Sequence, residues 1–420
     1  ALLRWNQALF PPRARRQIVK MSSIPSSSVP ELVRQLPEAF RRFLDENEVD
    51  YRFFCGHQNL PRFIRFNPRK PPVEKELQDQ LGVVPEPVDW LSQFQFYRLP
   101  GEAKVAGTQS YREGRIYGID AASAVAVAAL EPSPGDCILD ICCAPGAKLC
   151  LLSDLVCTGG GDKIGFVTGV DVSSDRLATC RSLLRKYKHQ NVRVFLQDAR
   201  SFDVAAPAHA TANHAAASNA TEHESDVAVE RVVDSEEAQG EEEAGDGSGG
   251  LRQSCKRRRK DDPLFHTTPI VGDWRDVSGS ATSTYDKVIV DAECTHDGSI
   301  KHLAKYEFLG WDTFERRMLD PTRISQVQQL QKDLLANGWR LVKQGGILVY
   351  STCSLTKAQN EHVVEWFLET FPAAELVPLS TATFPCRAGG VEGTLRLDPP
   401  TSKTSAQFVA KFTKPHETTP

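Results

Sequence analysis

Two stretches of this 420-residue chain end an apolar run in a cysteine. "VIVDAECTHDGS" (residues 288–299) carries Cys294, and "LVYSTCSLTKAQNE" (residues 348–361) carries Cys353. A buried cysteine is usually an inert small hydrophobe. A thiolate is a strong nucleophile, able to form and release a covalent bond to a substrate. Two thiols just past the ends of two neighbouring strands would share one cleft, which suits such chemistry.

The elements that must position them read as alternating strands and helices from about residue 115. "DCILDI", "GFVTGVDV", "VRVFLQD", "YDKVIVDA" and "GGILVYST" are buried strands, and "AQFVAKFTK" alternates like a late one. Between them, "SDRLATCRSLLRKYKHQ" puts Leu177, Cys180, Leu183, Leu184 and Tyr187 on one helical face behind serine caps. Ile324, Val327, Leu330, Leu334 and Leu335 mark another helix, and "NEHVVEWFLETF" a third. Repeated strand–helix units with apolar strands predict an α/β fold with an open, mainly parallel sheet, because parallel strands need crossovers.

In such a sheet, ligands bind beyond the carboxyl ends of the strands. "LDICCAPGAKL" is the turn after the first strand, where Gly146 allows close backbone approach and Pro145 stiffens the loop. Asp171 ends the second strand and Asp198 follows the third. Alone, each acid could cap its loop. Together they favour a nucleoside-bearing cofactor, with Asp171 accepting from a ribose diol and Asp198 from an adenine amino group.

With these motifs in order, the chain resembles the Nop/Sun family of S-adenosylmethionine-dependent RNA (cytosine-5) methyltransferases, from about Pro61 to Lys414 without an acidic insertion. "LDICCAPGAK" is similar to the family's cofactor loop, "GVDVSSDRL" to its ribose-binding segment and "QDAR" to its adenine-contacting segment. "DAECT" and "YSTCSLTKAQNE" resemble the release-cysteine and nucleophile motifs, "PRFIRFN" the RNA-contacting motif, and "YGIDAASAV" the segment before the first strand. The cysteine-bearing pair is similar to the branch acting on organellar rRNA and tRNA.

The resemblance implies a Rossmann-like class I methyltransferase domain that uses S-adenosyl-L-methionine to methylate tRNA or rRNA. It implies Cys353 as the nucleophile on carbon 6 of cytosine, Cys294 as the cysteine that assists release, Asp291 as a hydrogen-bonding partner of the base and Lys148 as its polar support. Cofactor contacts are expected from Cys142, Cys143, Ala144, Pro145, Gly146, Ala147, Lys148, Asp171, Arg176, Asp198 and Asp291, and RNA contacts from Arg62, Arg65 and Asn67. Lys148 is further expected to lower the thiol pKa. The chain departs from the family at Glu293, where proline is usual and where the carboxylate could protonate N3 of the base but is expected to face solvent. Ala147 and Leu149 replace a glycine and a threonine, and Ala147 is tolerable if its φ is negative. An RNA-binding assembly factor that keeps the cofactor site with little catalysis is the alternative reading. Retention of both cysteines argues against it. No ligand spacing suggests a metal.

The organisation expected is a leader over residues 1–30, a small RNA-contacting region over 31–105, and a methyltransferase domain over 106–420, interrupted by a disordered insertion at about 202–270. Residues 203–250 hold 12 acidic residues and one basic one, while the whole chain carries a formal charge of −4. The rest is therefore net basic, compatible with a polyanionic partner. The first thirty residues contain five Lys/Arg and no acid, the composition of a mitochondrial presequence, although Met21 could be the true start. Lys256–Lys260, a "KRRRK" run, points instead to the nucleus or nucleolus. Eleven cysteines without a C-x-x-C pair fit free thiols in an intracellular, reducing compartment rather than a secreted protein. No apolar run is long enough to span a bilayer. A monomer without a membrane partner is expected, with any helper protein undetermined.

Overall fold

At the centre of the fold lies strand β1 (Cys137–Ile141), every residue of it buried. This computed structural model describes residues 37–54, 60–157, 163–207, 210–211, 284–299 and 310–416. On one side of β1 stand β2 (Phe166–Asp171) and β3 (Val192–Leu196); on the other stand β4 (Tyr285–Asp291) and β5 (Val342–Thr352), all parallel. β7 (Gln407–Thr413) closes that side antiparallel to β5, followed by β6 (Leu395–Leu397) and a short strand at Arg387–Ala388. The spatial order is thus β6, β7, β5, β4, β1, β2, β3.

Helices cover both faces, as buried parallel strands require. α1 (Ala121–Leu130) is almost wholly apolar, and its small side chains let it pack closely against β4, β5 and β7. Asp120 caps its first turn by accepting from Ala122 N at 2.9 Å. α2 (Ala147–Cys157) and α3 (Ser174–Lys186) follow β1 and β2, and the predicted face of α3, from Leu177 to Tyr187, is buried. α4 (Pro321–Leu341) and α5 (Glu361–Thr370) flank β5. On α4 the predicted face is only partly internal: Leu334 and Leu335 are buried, whereas Ile324, Val327 and Leu330 stay half-exposed.

A second sheet of four antiparallel strands orders Glu86–Pro87, Phe96–Leu99, Arg62–Phe66 and Ile116–Gly118. Its fourth strand lies beyond residue 105, so the small region runs further along the chain than the sequence suggested. Phe202 and Ala206 are buried in the main core beside Phe195, so the start of the expected insertion belongs to the fold. The rest of that insertion to 270 (apart from 210–211), with the basic run Lys256–Lys260, lies outside the described residues, as do the leader and Leu32, Val33 and Leu36. Among the described residues no helix is long and apolar enough to cross a membrane.

Candidate active site

The turn between β1 and α2 makes one wall of a cleft of about 160 Å³. Asp120, Ser123, Asp140, Asp291 and the loop from Cys142 to Lys148 line it. Cys142 adopts a positive φ of 65° and Gly146 one of 108°. A Cβ on Gly146 would come within 2.9 Å of Cys180 Sγ on α3, so helix packing as well as backbone freedom requires glycine here. Ala147 is the first residue of α2 and has no positive φ, so alanine fits at that position.

Asp171 ties this loop down. Its carboxylate accepts from Ala144 N at 3.2 Å and from Ser173 N at 2.9 Å, and Arg176 stands 3.6 Å away. Arg176 in turn donates to the Ala144 carbonyl. Asp198 receives Arg200 N at 2.9 Å and the Arg200 guanidinium at 2.6 Å, the capping arrangement weighed for it from sequence. Neither Asp198 nor Asp171 lines the cleft with Asp140.

Asp140 is the group that sequence reasoning passed over. It lies inside β1, is 1% exposed, and neither carboxylate oxygen has a hydrogen-bond partner among the described residues. Burial, aided by the charge of Asp291, pushes its pKa well above the ordinary carboxylate value. A buried, unpartnered acid facing a cleft is costly unless a ligand satisfies it. A cationic or amine-bearing ligand meets that need, so these residues fit S-adenosylmethionine. The signal in the sequence was an acid within an otherwise apolar strand.

Beside this cleft, Asp291 closes β4. Its Oδ2 accepts from Lys148 Nζ at 2.8 Å, and its Oδ1 accepts from Ser351 Oγ at 2.7 Å and Gln407 Nε2 at 3.3 Å. Burial raises its pKa, but the Lys148 charge and these three donors outweigh it, and the net shift is downward. Lys148 is held protonated by the same pair. Lys148 thus spends its charge first on Asp291, with a smaller share on the Cys353 sulfur.

β4 and β5 pair in parallel with Asp291 opposite Ser351. The chain leaves both strands in the same direction, and the Sγ atoms of Cys294 and Cys353 come to 3.3 Å. His296 Nδ1 lies 3.1 Å from Cys353 Sγ and 3.7 Å from Cys294 Sγ. Two sulfurs this close hold one negative charge more readily than two, so the pair titrates as a unit. One proton leaves early, chiefly because a hydrogen bond between the sulfurs stabilises the first thiolate, and the other is held to high pH.

Polar residues after each cysteine lock the two loops together. Asp297 Oδ1 accepts from Leu355 N at 2.6 Å and its Oδ2 from Thr295 Oγ1 at 2.8 Å. Gln359 Oε1 accepts from Thr295 N, and its Nε2 donates to Thr295 Oγ1 at 2.8 Å. Asn360 accepts from Thr352 Oγ1 and donates to the Ser354 carbonyl, while Arg396 clasps Glu361 at 2.8 and 2.5 Å. The "TKAQNE" segment is therefore the scaffold of the cysteine. Glu293 is exposed, and its carbonyl accepts from Gln331.

The expected RNA contacts need correction. Arg65 is 2% exposed, is ion-paired to Asp154 and lies over the Tyr117 ring. Asn67 is equally buried, donating to Gly114 O at 2.8 Å and accepting from Arg69 N at 3.0 Å. Strand alternation turns both inward, where Arg65 joins the small sheet to α2 and Asn67 ties that sheet to the turn at Gly114. Arg62 is half-buried.

The order of the parallel strands and the loop after β1 define a Rossmann-like methyltransferase fold. Two solved structures from Pyrococcus horikoshii share it. A methyltransferase homolog protein has a TM-score of 0.58 at 24% identity, covering 92% of this chain and 99% of that one. NSun6 with SFG has a TM-score of 0.58 at 15% identity, covering 94% and 100%.

The family model described as 16S rRNA methyltransferase RsmB/F matches residues 127–210 and 252–413, and the chain belongs to that family. The 5-cytosine rRNA methyltransferase NSUN4 of Bos taurus is 26% identical over 307 residues, covering 70% of this chain and 57% of that protein. The mitochondrial tRNA (cytosine(34)-C(5))-methyltransferase of Danio rerio is 38% identical over 107 residues, covering 26% and 27%. The chain thus matches less than two thirds of the length of these relatives.

Proposed function

We propose that this chain transfers a methyl group from S-adenosyl-L-methionine to carbon 5 of a cytosine in tRNA or rRNA, through a covalent bond between Cys353 and carbon 6. One observation carries the reading: both thiols and the Asp291–Lys148 pair meet where β4 and β5 end, beside the cleft of the β1 loop.

The cofactor, when bound, supplies an electrophilic methyl group. Asp140 would meet its cationic or amine groups, Asp171 its ribose, and the loop from Cys142 to Ala147 its remaining edge. Carbon 5 of cytosine is a poor nucleophile until carbon 6 is attacked. Cys353 thiolate forms the S–C6 bond, which makes carbon 5 enamine-like. Asp291, ionised and pinned by three donors, retains one of its roughly four lone-pair positions for the exocyclic amino group of the base. Lys148 keeps that carboxylate charged as electron density shifts. After methylation a base at the cleft takes the carbon 5 proton, the electrons of that C–H bond re-form the C5–C6 double bond, and the S–C6 bond breaks with the Cys353 thiolate as leaving group, a release that Cys294 assists.

The target must be unstacked or single-stranded to reach the sulfur. An organellar compartment is part of the proposal, supported by the mitochondrial relative. The test is methyl transfer to tRNA and rRNA transcripts and to total RNA from cells lacking the protein, read by bisulfite sequencing. New 5-methylcytosine with wild type and none with Cys353→Ala is expected. No 5-methylcytosine in any of these RNAs would overturn the reading.

A further inference from the structure

We infer that His296 belongs to the reacting group: its imidazole takes one proton from the thiol pair, so that the resting site holds an imidazolium beside a single negative charge shared by Cys294 and Cys353. The inference rests on the reading of Cys353 as nucleophile and adds what activates it. Nothing in the motif of two cysteines requires a histidine, and the residue two places after Cys294 carries no role in the reading above.

The geometry points to this role. His296 Nδ1 is nearer to Cys353 Sγ, at 3.1 Å, than to Cys294 Sγ, at 3.7 Å, although Cys294 is its neighbour in sequence. The backbone at His296 is left-handed, with φ of 56°, uncommon for a residue other than glycine although histidine takes it more readily than most. The surroundings hold it there. Gly298 N donates to the Cys353 carbonyl at 3.1 Å, and a Cβ at Gly298 would lie 2.4 Å from that oxygen. Thr295 and Asp297 are hydrogen-bonded to Gln359, Ser354 and Leu355 on either side. The loop is thereby fixed to the chain carrying Cys353, and the imidazole is aimed at its sulfur.

Charges around the ring agree. The neighbouring Cys294 thiolate raises His296 to about 9 against the opposing effect of burial. Arg176 disfavours the imidazolium and Asp297 favours it. Asp297 is itself pushed up by burial, to about 6. Asp291 and Asp297 act against a charge on Cys353, and Lys148 is paired to Asp291. Tyr350 senses the Cys294 charge but stays a neutral phenol, because burial pushes its pKa up.

The protons balance without a co-reactant. Two thiols bring two protons, one moves to Nδ1, and the other lies between sulfurs 3.3 Å apart. When that shared proton settles on Cys294, Cys353 is left as the attacking thiolate.

The test measures alkylation of Cys353 by iodoacetamide against pH, by peptide mass spectrometry on the full chain with EDTA present. His296→Asn is the variant, since asparagine tolerates a left-handed backbone and carries no proton. Wild type should show a midpoint below the ordinary thiol value of about 8.5, and the variant one at or above that value. At pH near 6.5 the variant should react at least about tenfold more slowly. An unchanged midpoint would overturn the role. Should the variant misfold, histidine NMR on wild type and on Cys294→Ser/Cys353→Ser replaces it. The His296 resonance should titrate near 9 in the first and fall to about 6.5 or below in the second. Equal titration in both would overturn the role. Neither measurement uses RNA, so absent methyl transfer with the shift intact would reject only the proposed activity.

Discussion

Asp291 and Ser351 are register partners across β4 and β5, and their side chains are hydrogen-bonded at 2.7 Å. This single pairing fixes the site. Cys294 follows three residues after one partner and Cys353 two residues after the other, and the sulfurs meet at 3.3 Å. A register slip would turn one strand's side chains to the opposite face and part the pair.

Asp140→Asn should move stability and binding in opposite directions. In the free protein it removes a buried acid with no partner, so the melting temperature should hold or rise. A charge-assisted hydrogen bond contributes about 1.5–3 kcal/mol, so calorimetry should show S-adenosylmethionine binding at least about tenfold weaker. Unchanged affinity would remove Asp140 from the cofactor site.

Arg65→Ala should damage folding rather than RNA recognition. Arg65 and Asp154 are a buried ion pair with side chains 3% and 1% exposed. Breaking such a pair from one side costs about 3–5 kcal/mol. Arg69, 3.1 Å from Asp154, softens the loss towards the lower figure. Denaturant unfolding should show the deficit, while RNA affinity per folded molecule should stay as in wild type.

The Glu361–Arg396 clasp gives a pH signature. Burial raises the Glu361 pKa, but Arg396 outweighs it and holds the carboxyl below its ordinary 4.5. A depressed acid stabilises the fold at pH above its unfolded pKa, and that contribution disappears as pH falls through the folded value. Arg396→Met should therefore cost about 3 kcal/mol or more at pH 7. The gap to wild type should shrink below about pH 4.5. A gap constant from pH 7 to pH 3 would contradict the assignment.

Much of this was legible in the chain. The five parallel strands announced themselves because buried strands are continuously apolar, and the β1 loop because a glycine and a proline punctuate it. The small region was harder. Arg65 and Asn67 look like surface groups until strand alternation turns them onto Asp154 and Gly114, residues far along the chain. Asp140 was hidden by its setting, since the sequence does not show whether a strand acid has a partner. His296 was hidden because the approach of its ring to Cys353 depends on a left-handed backbone that the sequence does not specify. The long face of α4 misled for another reason: its amino-terminal half extends past the core, leaving Ile324 and Val327 half-exposed.

The central claim is that Cys353 bonds to cytosine and Cys294 lets it go. Its most direct test is Cys294→Ala expressed in the source cells, recovered under denaturing conditions, with any attached RNA sequenced. The account predicts RNA bound through the Cys353 peptide at one cytosine, and none in Cys294→Ala/Cys353→Ala. Absence of an adduct from Cys294→Ala, in cells where the wild-type protein still binds RNA, would contradict it.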